Sequence, residues 1–298
     1  MKKWLLLLAI IVVSGQAFAQ QKVKDTILAP FFSHFQLRQS FQSPDAQQSP
    51  AQLQLTLPQQ GAANWLVDAA ASLTIRPMSC GPFTSKFVGE FHRNTLADSA
   101  QFNYQAGFNF SWYRDRGDNV LTPVWTGNLK YIHNITDTSN NLAATLNFTF
   151  YRSGKHILDL GRPGYLNNEH FTYQLTPSAE IQYQQVFPND EQMQGGILRP
   201  LVDLSASIAL NHKKTKGKLA APSKMIELAV DYVNRYAVVN STGNKEGYTK
   251  LFRPAVNYYF LNTNSSSVSL GASYNLGSDP LNGLKAQQFW LFALQVQL

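Results

Sequence analysis

The stretch Gln101–Tyr113, which reads QFNYQAGFNFSWY, decides the fold of this chain. Its apolar residues occupy every second position, namely Phe102, Tyr104, Ala106, Phe108, Phe110 and Trp112. The positions between them hold Asn103, Gln105, Gly107, Asn109 and Ser111. Because successive side chains of a strand point to opposite faces, this alternation predicts a β-strand with one apolar and one polar face. A helix would spread the same residues around its whole circumference.

The same alternation recurs along the chain after residue 50. It is seen near residues 51–57, 65–75, 84–92, 120–133, 142–150, 173–187, 202–211, 225–238, 247–261, 267–276 and 289–298. Turn-forming residues separate these segments, and no helical pattern of convincing length interrupts them. The sequence therefore predicts an all-β protein, an antiparallel up-and-down transmembrane β-barrel of about 12 strands.

Two features favour a membrane barrel over a soluble β-sandwich, which also alternates. Many segments have about ten residues or more, enough for a tilted crossing of a bilayer, whereas ordinary strands have five or six. Aromatic residues also lie toward the strand ends, as in the pair Trp125 and Tyr131 and the pair Tyr248 and Phe260. Such residues build the interface girdles of membrane barrels. A secreted sandwich or a soluble barrel remains the alternative.

The last segment carries a class-level resemblance. It reads FWLFALQVQL, and Trp290, Phe292, Leu294, Val296 and Leu298 form an unbroken apolar face. In this the chain resembles bacterial outer-membrane β-barrels in general, whose last strand ends on an aromatic or apolar residue. The resemblance implies that the barrel-insertion machinery reads these five residues as an insertion signal. The chain departs from the commonest form because it ends in Leu rather than Phe.

The N-terminus has the pattern of a secretory signal peptide. Lys2 and Lys3 precede an apolar run over residues 4–13, and Ala17-Phe18-Ala19 is a small-x-small cleavage site. We therefore expect three parts: a signal peptide over residues 1–19, a polar leader over 20–50 and the outer-membrane barrel over 51–298. The apolar run is too short to span a membrane as a helix.

Composition limits the choice of partners and chemistry. The net charge is +7, but the basic residues are scattered apart from one cluster near Lys213, so we expect no nucleic-acid partner. The single cysteine, Cys80, cannot form an internal disulfide. No metal-ligand spacing or phosphate-binding glycine loop is present, so no metal and no cofactor is expected.

Charged residues recur on the polar faces of the predicted strands. The interior candidates are Asp68, Lys86, Glu90, His92, Lys130, Glu180, Asp203, Glu227, Asp231, Arg235 and Arg253. They could form a charged constriction that selects solutes. They could equally pair with one another and stiffen a filled barrel. A barrel of eight strands is filled and one of sixteen leaves a channel, so about twelve strands decide neither way.

The sequence thus predicts a small porin-like pore or transporter in a Gram-negative envelope. The alternative is a structural or secretion- and assembly-associated barrel without conductance. A lipid-modifying barrel enzyme is a third class, although no catalytic residues can be identified from the pattern. The expected partners are outer-membrane lipid, the barrel-insertion machinery and small polar solutes, and the expected location is the outer membrane.

Overall fold

The fold is taken from a computed structural model. It describes residues 35–41, 51–56, 64–77, 81–95, 101–113, 120–152, 160–161, 163–166, 170–187, 194–212, 223–243, 247–262, 267–280 and 284–297. The chain divides into two units, Met1–Phe35 and Gln36–Leu298, and the barrel belongs to the second. The predicted signal peptide, Cys80, Lys213 and Leu298 lie outside the described residues.

Twelve antiparallel strands of the described residues form a nearly closed barrel, as predicted. They are β2 (Ala51–Thr56), β3 (Asn64–Arg76), β4 (Phe83–Asn94), β5 (Gln101–Tyr113), β6 (Thr122–Asn134), β7 (Ser139–Tyr151), β9 (Phe171–Phe187), β10 (Gly195–Asn211), β11 (Lys224–Tyr236), β13 (Tyr248–Asn262), β14 (Ser267–Asp279) and β15 (Leu284–Gln297). Three short strands accompany them: β1 (Phe35–Arg38), β8 (Gly164–Leu166) and β12 (Val239–Asn240). Among the described residues, no helix is long and apolar enough to cross a membrane.

Each barrel strand pairs with its neighbours in chain order, so the sheet is a meander that curls back on itself. The β9–β10 ladder is the longest, with sixteen residue pairs from Gly195↔Val186 to Leu210↔Phe171. The ring closes where β15 meets β2, over Leu294↔Leu53, Gln295↔Gln52 and Val296↔Ala51. This closing contact, which we call the seam, has three residue pairs among the described residues.

The two faces of the wall have opposite polarity. Phe108 points outward and is 51% exposed, whereas Asn109, the next residue, points inward and is 1% exposed. Large apolar side chains cover the outside on other strands too, including Leu129, Ile181, Val202, Leu228 and Trp290. Most buried residues of the interior are Asn, Gln, Ser, Thr or charged residues. This is the reverse of a soluble protein, whose core is apolar.

The segment before β2 enters the interior. β1 pairs with β3, and since β4 occupies one edge of β3 from Leu66 to Arg76, β1 lies on the edge that β3 shares with β2. Residues 39–41 follow β1 and are buried; we call them the N-terminal insert. Phe41 is 0% exposed and contacts the inward-facing Ala70 and Val88. Part of the predicted polar leader is therefore interior structure.

Candidate functional site in the barrel interior

The interior brings together most of the charged residues that the sequence singled out. Asp68 lies on β3, Lys86, Glu90 and His92 on β4, Lys130 on β6, Glu180 on β9, Asp203 on β10, Glu227, Asp231 and Arg235 on β11, and Arg253 on β13. Seven of them are buried and the other four are half-buried. Nine of them form two clusters, and Lys86 and Glu227 lie outside both.

The first cluster is centred on Glu90 and consists of Asp68, Glu90, His92 and Lys130. The ammonium group of Lys130 donates to Glu90 Oε1 at 2.7 Å, and His92 Nε2 lies 3.2 Å from Glu90 Oε2. The other ring nitrogen of His92 contacts Asp68 Oδ1. Glu90, His92 and Lys130 are all buried, so this is an internal ion-pair network of two carboxylates, one ammonium and one imidazole.

The same cluster holds the N-terminal insert in place. The backbone N–H of Phe41 donates to Glu90 Oε1 at 2.9 Å, and the hydroxyl of Ser40 donates to Glu90 Oε2 at 3.1 Å. The amide of Gln39 donates to Asp68 at 2.6 Å. Both carboxylates thus accept hydrogen bonds from the insert. These charge-assisted hydrogen bonds link the leader to the barrel wall.

Lys86 extends these contacts toward β1. Its ammonium group donates to Gln36 Oε1 at 2.9 Å and lies 5.6 Å from the centre of the Phe41 ring. Across the interior, Asn109 Nδ2 donates to the carbonyl of Phe41 at 3.3 Å. Side chains from β3, β4 and β5 therefore contact the insert, and Lys130 on β6 contacts Glu90, which binds it. This side of the interior is occupied by protein.

The second cluster, which we call the acid-rich wall, consists of Glu180, Asp203, Asp231, Arg235 and Arg253. Within it Arg253 donates to Asp231 Oδ2 from Nη2 at 2.7 Å and from Nε at 3.0 Å. Arg235 donates from Nη1 to the carbonyl of Ser278 at 3.0 Å, and its Nη2 lies 3.0 Å from Asp279 Oδ1. Each arginine is thereby paired with an acid on its own side of the wall.

The two remaining acids of the acid-rich wall lack a basic partner. Glu180 accepts from Gln182 Nε2 at 2.7 Å and from Asn147 Nδ2 at 3.2 Å, which are neutral amides. Asp203 is 7% exposed, and its Oδ1 has no hydrogen-bond partner among the described residues. The charged groups that act on Asp203 are Asp231, Glu180, Arg235 and Arg253. The acid-rich wall therefore has three carboxyl groups for two guanidinium groups.

Glu227 is held by residues outside both clusters. Lys224 Nζ donates to its Oε1 at 2.6 Å, and the hydroxyl of Tyr259 donates to its Oε2 at 2.5 Å. The amide of Asn257 lies at the same oxygen, at 3.5 Å. Glu227 is thus saturated with donors, in contrast to Asp203.

Sequence reasoning missed several interior residues. Arg199 is almost fully buried and donates to Gln184 Oε1 at 2.8 Å. Lys224 and Asp279 lie at the ends of their strands. The parity that identified Asp203 also assigns Arg199 to the inner face, but the predicted strand began only at residue 202. Nothing in the alternation points to the N-terminal insert, because residues 39–41 belong to no periodic segment.

The residues of the expected insertion signal lie on β15, apart from Leu298, which is outside the described residues. Trp290 and Phe292 are each 66% exposed on the outer face. Leu294 and Val296 are paired across the seam with Leu53 and Ala51. The segment thus serves as the closing strand of the barrel.

The interior presents charged and hydrogen-bonding side chains. Among the described residues, no group of three or more His, Cys, Asp or Glu residues is arranged to hold a metal ion. What the arrangement can do is bind or repel polar and charged groups within a confined space. No known family, curated protein or solved structure matches this chain.

Proposed function

We propose that this protein is an outer-membrane β-barrel that passes small polar solutes through its interior. The observation that carries the proposal is the reversed polarity of the wall. Large apolar side chains exposed on the outer face, such as Phe108 and Trp290, would be unfavourable in water but are favourable in hydrocarbon. A closed antiparallel barrel also satisfies backbone hydrogen bonds without water.

The strand lengths fit a bilayer. The strands β3 to β7 have 12 or 13 residues each. At about 3.3 Å per residue such a strand is roughly 43 Å long, and a tilt of about 40° gives a height near 33 Å. This height is close to the hydrocarbon thickness of about 30 Å, with a small remainder for the interfaces.

An aromatic row on the outer face supports the same environment. Phe83 pairs with Trp112, Trp112 with Trp125, and Trp125 with Phe148, so four neighbouring strands carry aromatic rings side by side. The rings of Trp125 and Phe148 are 4.7 Å apart. The row lies toward the end of the barrel where the last residues of β15 pair with the first residues of β2. Trp and Tyr concentrate at the headgroup level of membrane proteins, where their rings meet lipid and their polar atoms meet water.

The solute path is assigned to the side of the interior lined by β9, β10, β11 and β13. The N-terminal insert fills the opposite side, against β3 to β5. The acid-rich wall presents carboxylates that are not all neutralised by arginine, which suits contact with hydrated solutes better than a dry core does.

Conductance in planar bilayers tests the proposal. The full chain, refolded in detergent, is expected to give discrete steps of small conductance, and a variant lacking residues 36–41 is expected to give larger ones. Glu227→Gln is the control and is expected to give the same steps as the full chain. Glu227 lies in the interior, but Lys224 and Tyr259 already donate hydrogen bonds to its two carboxylate oxygens. Absence of steps from both the full chain and the deletion variant would refute a pore. Recovery of the protein in the soluble periplasmic fraction, rather than as a heat-modifiable membrane protein, would refute the membrane location.

The second candidate is a structural or assembly-associated barrel without conductance. The buried Glu90 cluster and the N-terminal insert favour it, since both fill the interior with paired groups that need no solute. It predicts a silent bilayer recording together with correct membrane insertion.

A further inference from the structure

We propose that the interior holds a binding site for a solute bearing a guanidinium or ammonium group, formed by Asp203 and Glu180 with Asn147 and Gln182. The inference rests on the proposed function only in taking the interior to be open to solutes. It is carried by three buried oxygen atoms of these residues that have no hydrogen-bond donor among the described residues.

The four residues lie together on three neighbouring strands. Asn147 on β7 is directly opposite Glu180 on β9, and Asp203 on β10 is directly opposite Ser178, two residues from Glu180. Gln182 follows Glu180 on the same face of β9 and donates to it. Asp203 is therefore diagonal to Glu180 across the β9–β10 pair, a spacing of about 7–8 Å that long side chains can span.

Three oxygen atoms of this site are buried and have no donor among the described residues. They are Asp203 Oδ1, Asn147 Oδ1 and Gln182 Oε1. The amide nitrogens of Asn147 and Gln182 are already committed to Glu180, so their oxygens are the free ends. Buried acceptors without donors are unfavourable, and native proteins satisfy nearly all of them. A solute or a bound water that donates hydrogen bonds would satisfy these three atoms.

The missing donor should also be positively charged. Arg253 is ion-paired with Asp231 and Arg235 with Asp279, so both act on Asp203 only from a distance, and neither Glu180 nor Asp203 is in an ion-pair contact with them. A guanidinium group offers five N–H donors and one positive charge, and an ammonium offers three donors and the same charge.

The test is calorimetric titration of the detergent-folded full chain with methylguanidinium, and separately with methylurea, its neutral counterpart of similar shape. Methylguanidinium is expected to bind and methylurea is not. Asp203→Asn should weaken methylguanidinium binding about tenfold or more, the effect of removing one charge-assisted hydrogen bond. Asp137→Asn, in the turn between β6 and β7, is the matched control and should bind like the parent protein. Folding of each variant is checked by heat-modifiability on gels.

The outcomes separate the inference from the proposed function. No binding of methylguanidinium, equal binding of methylurea, or unchanged binding by Asp203→Asn would each overturn the site. Binding that depends on Asp203 in a protein that gives no conductance steps would overturn the pore and support the site. Conductance steps in a protein that fails to bind methylguanidinium would support the pore and overturn the site.

Discussion

Breaking the buried ion pair between Glu90 and Lys130 should destabilise the barrel in an asymmetric way. Removing one partner of a buried pair costs about 3–5 kcal/mol, because the other charge is left without compensation. In Lys130→Met, Glu90 keeps three contacts, with the backbone of Phe41, with Ser40 and with His92. In Glu90→Gln, Lys130 keeps only neutral acceptors, with Gln105 Oε1 at 3.4 Å.

The expected cost is therefore about 3 kcal/mol for Lys130→Met and about 5 kcal/mol for Glu90→Gln, the two ends of that range. The double variant should cost less than the sum of the two, since no unpaired charge remains. The free energy of unfolding is measured by urea titration in lipid vesicles, followed by tryptophan fluorescence. Lys130→Met costing more than Glu90→Gln, or both costing under about 1 kcal/mol, would refute the reasoning, because the network would then be solvated like a surface pair.

Three further changes test other parts of the molecule. Phe108→Arg places a charge on the outer face and should cost about 2–4 kcal/mol of unfolding free energy in vesicles, against a smaller cost for Phe108→Leu; equal costs would argue against lipid at this position. Deleting residues 289–298 should prevent folding, because β14 and β2 lose their partner in β15, and a truncated chain that still resists protease would show that the barrel closes elsewhere. Arg253→Ala leaves Asp231 with Ser205 Oγ at 2.7 Å and should cost about 3 kcal/mol, the low end for a pair that is partly exposed, whereas an unchanged urea midpoint would mean that water replaces the arginine.

Alternation was enough to predict the barrel because it reports the environment of each face residue by residue. It assigned Phe108 to the outside and Asn109 to the inside, and the structure has them so. The ends of the strands were harder to predict from the sequence. The predicted strand near residue 202 is in fact Gly195–Asn211, since Gly195, Gly196 and Pro200 are poor strand formers and concealed its first half.

Pairing inside the barrel could not be predicted, because parity gives the face of a residue but not its register with the next strand. Asp231 and Asp203 have the same chemistry and the same parity. Asp231 lies directly opposite Arg253 in the β11–β13 ladder, whereas Asp203 lies opposite Ser178 and Val233. The presence of the N-terminal insert inside the barrel could not be predicted either. Asn109 contacts Phe41, 68 residues earlier, and no local pattern encodes such a contact.

The seam has a consequence for the order of folding. Leu53 and Leu294 pair although about 240 residues separate them, so the contact closes a loop that contains nearly the entire sheet. The other ladders between barrel strands join strands that follow one another around the ring, and such local pairings can form early. We therefore expect closure to be the last event, and until it occurs β2 and β15 each have an unpaired edge to which another chain could add a strand. A factor that shields those two edges would raise the yield of folding without changing the stability of the finished barrel, because three residue pairs contribute little to the final free energy.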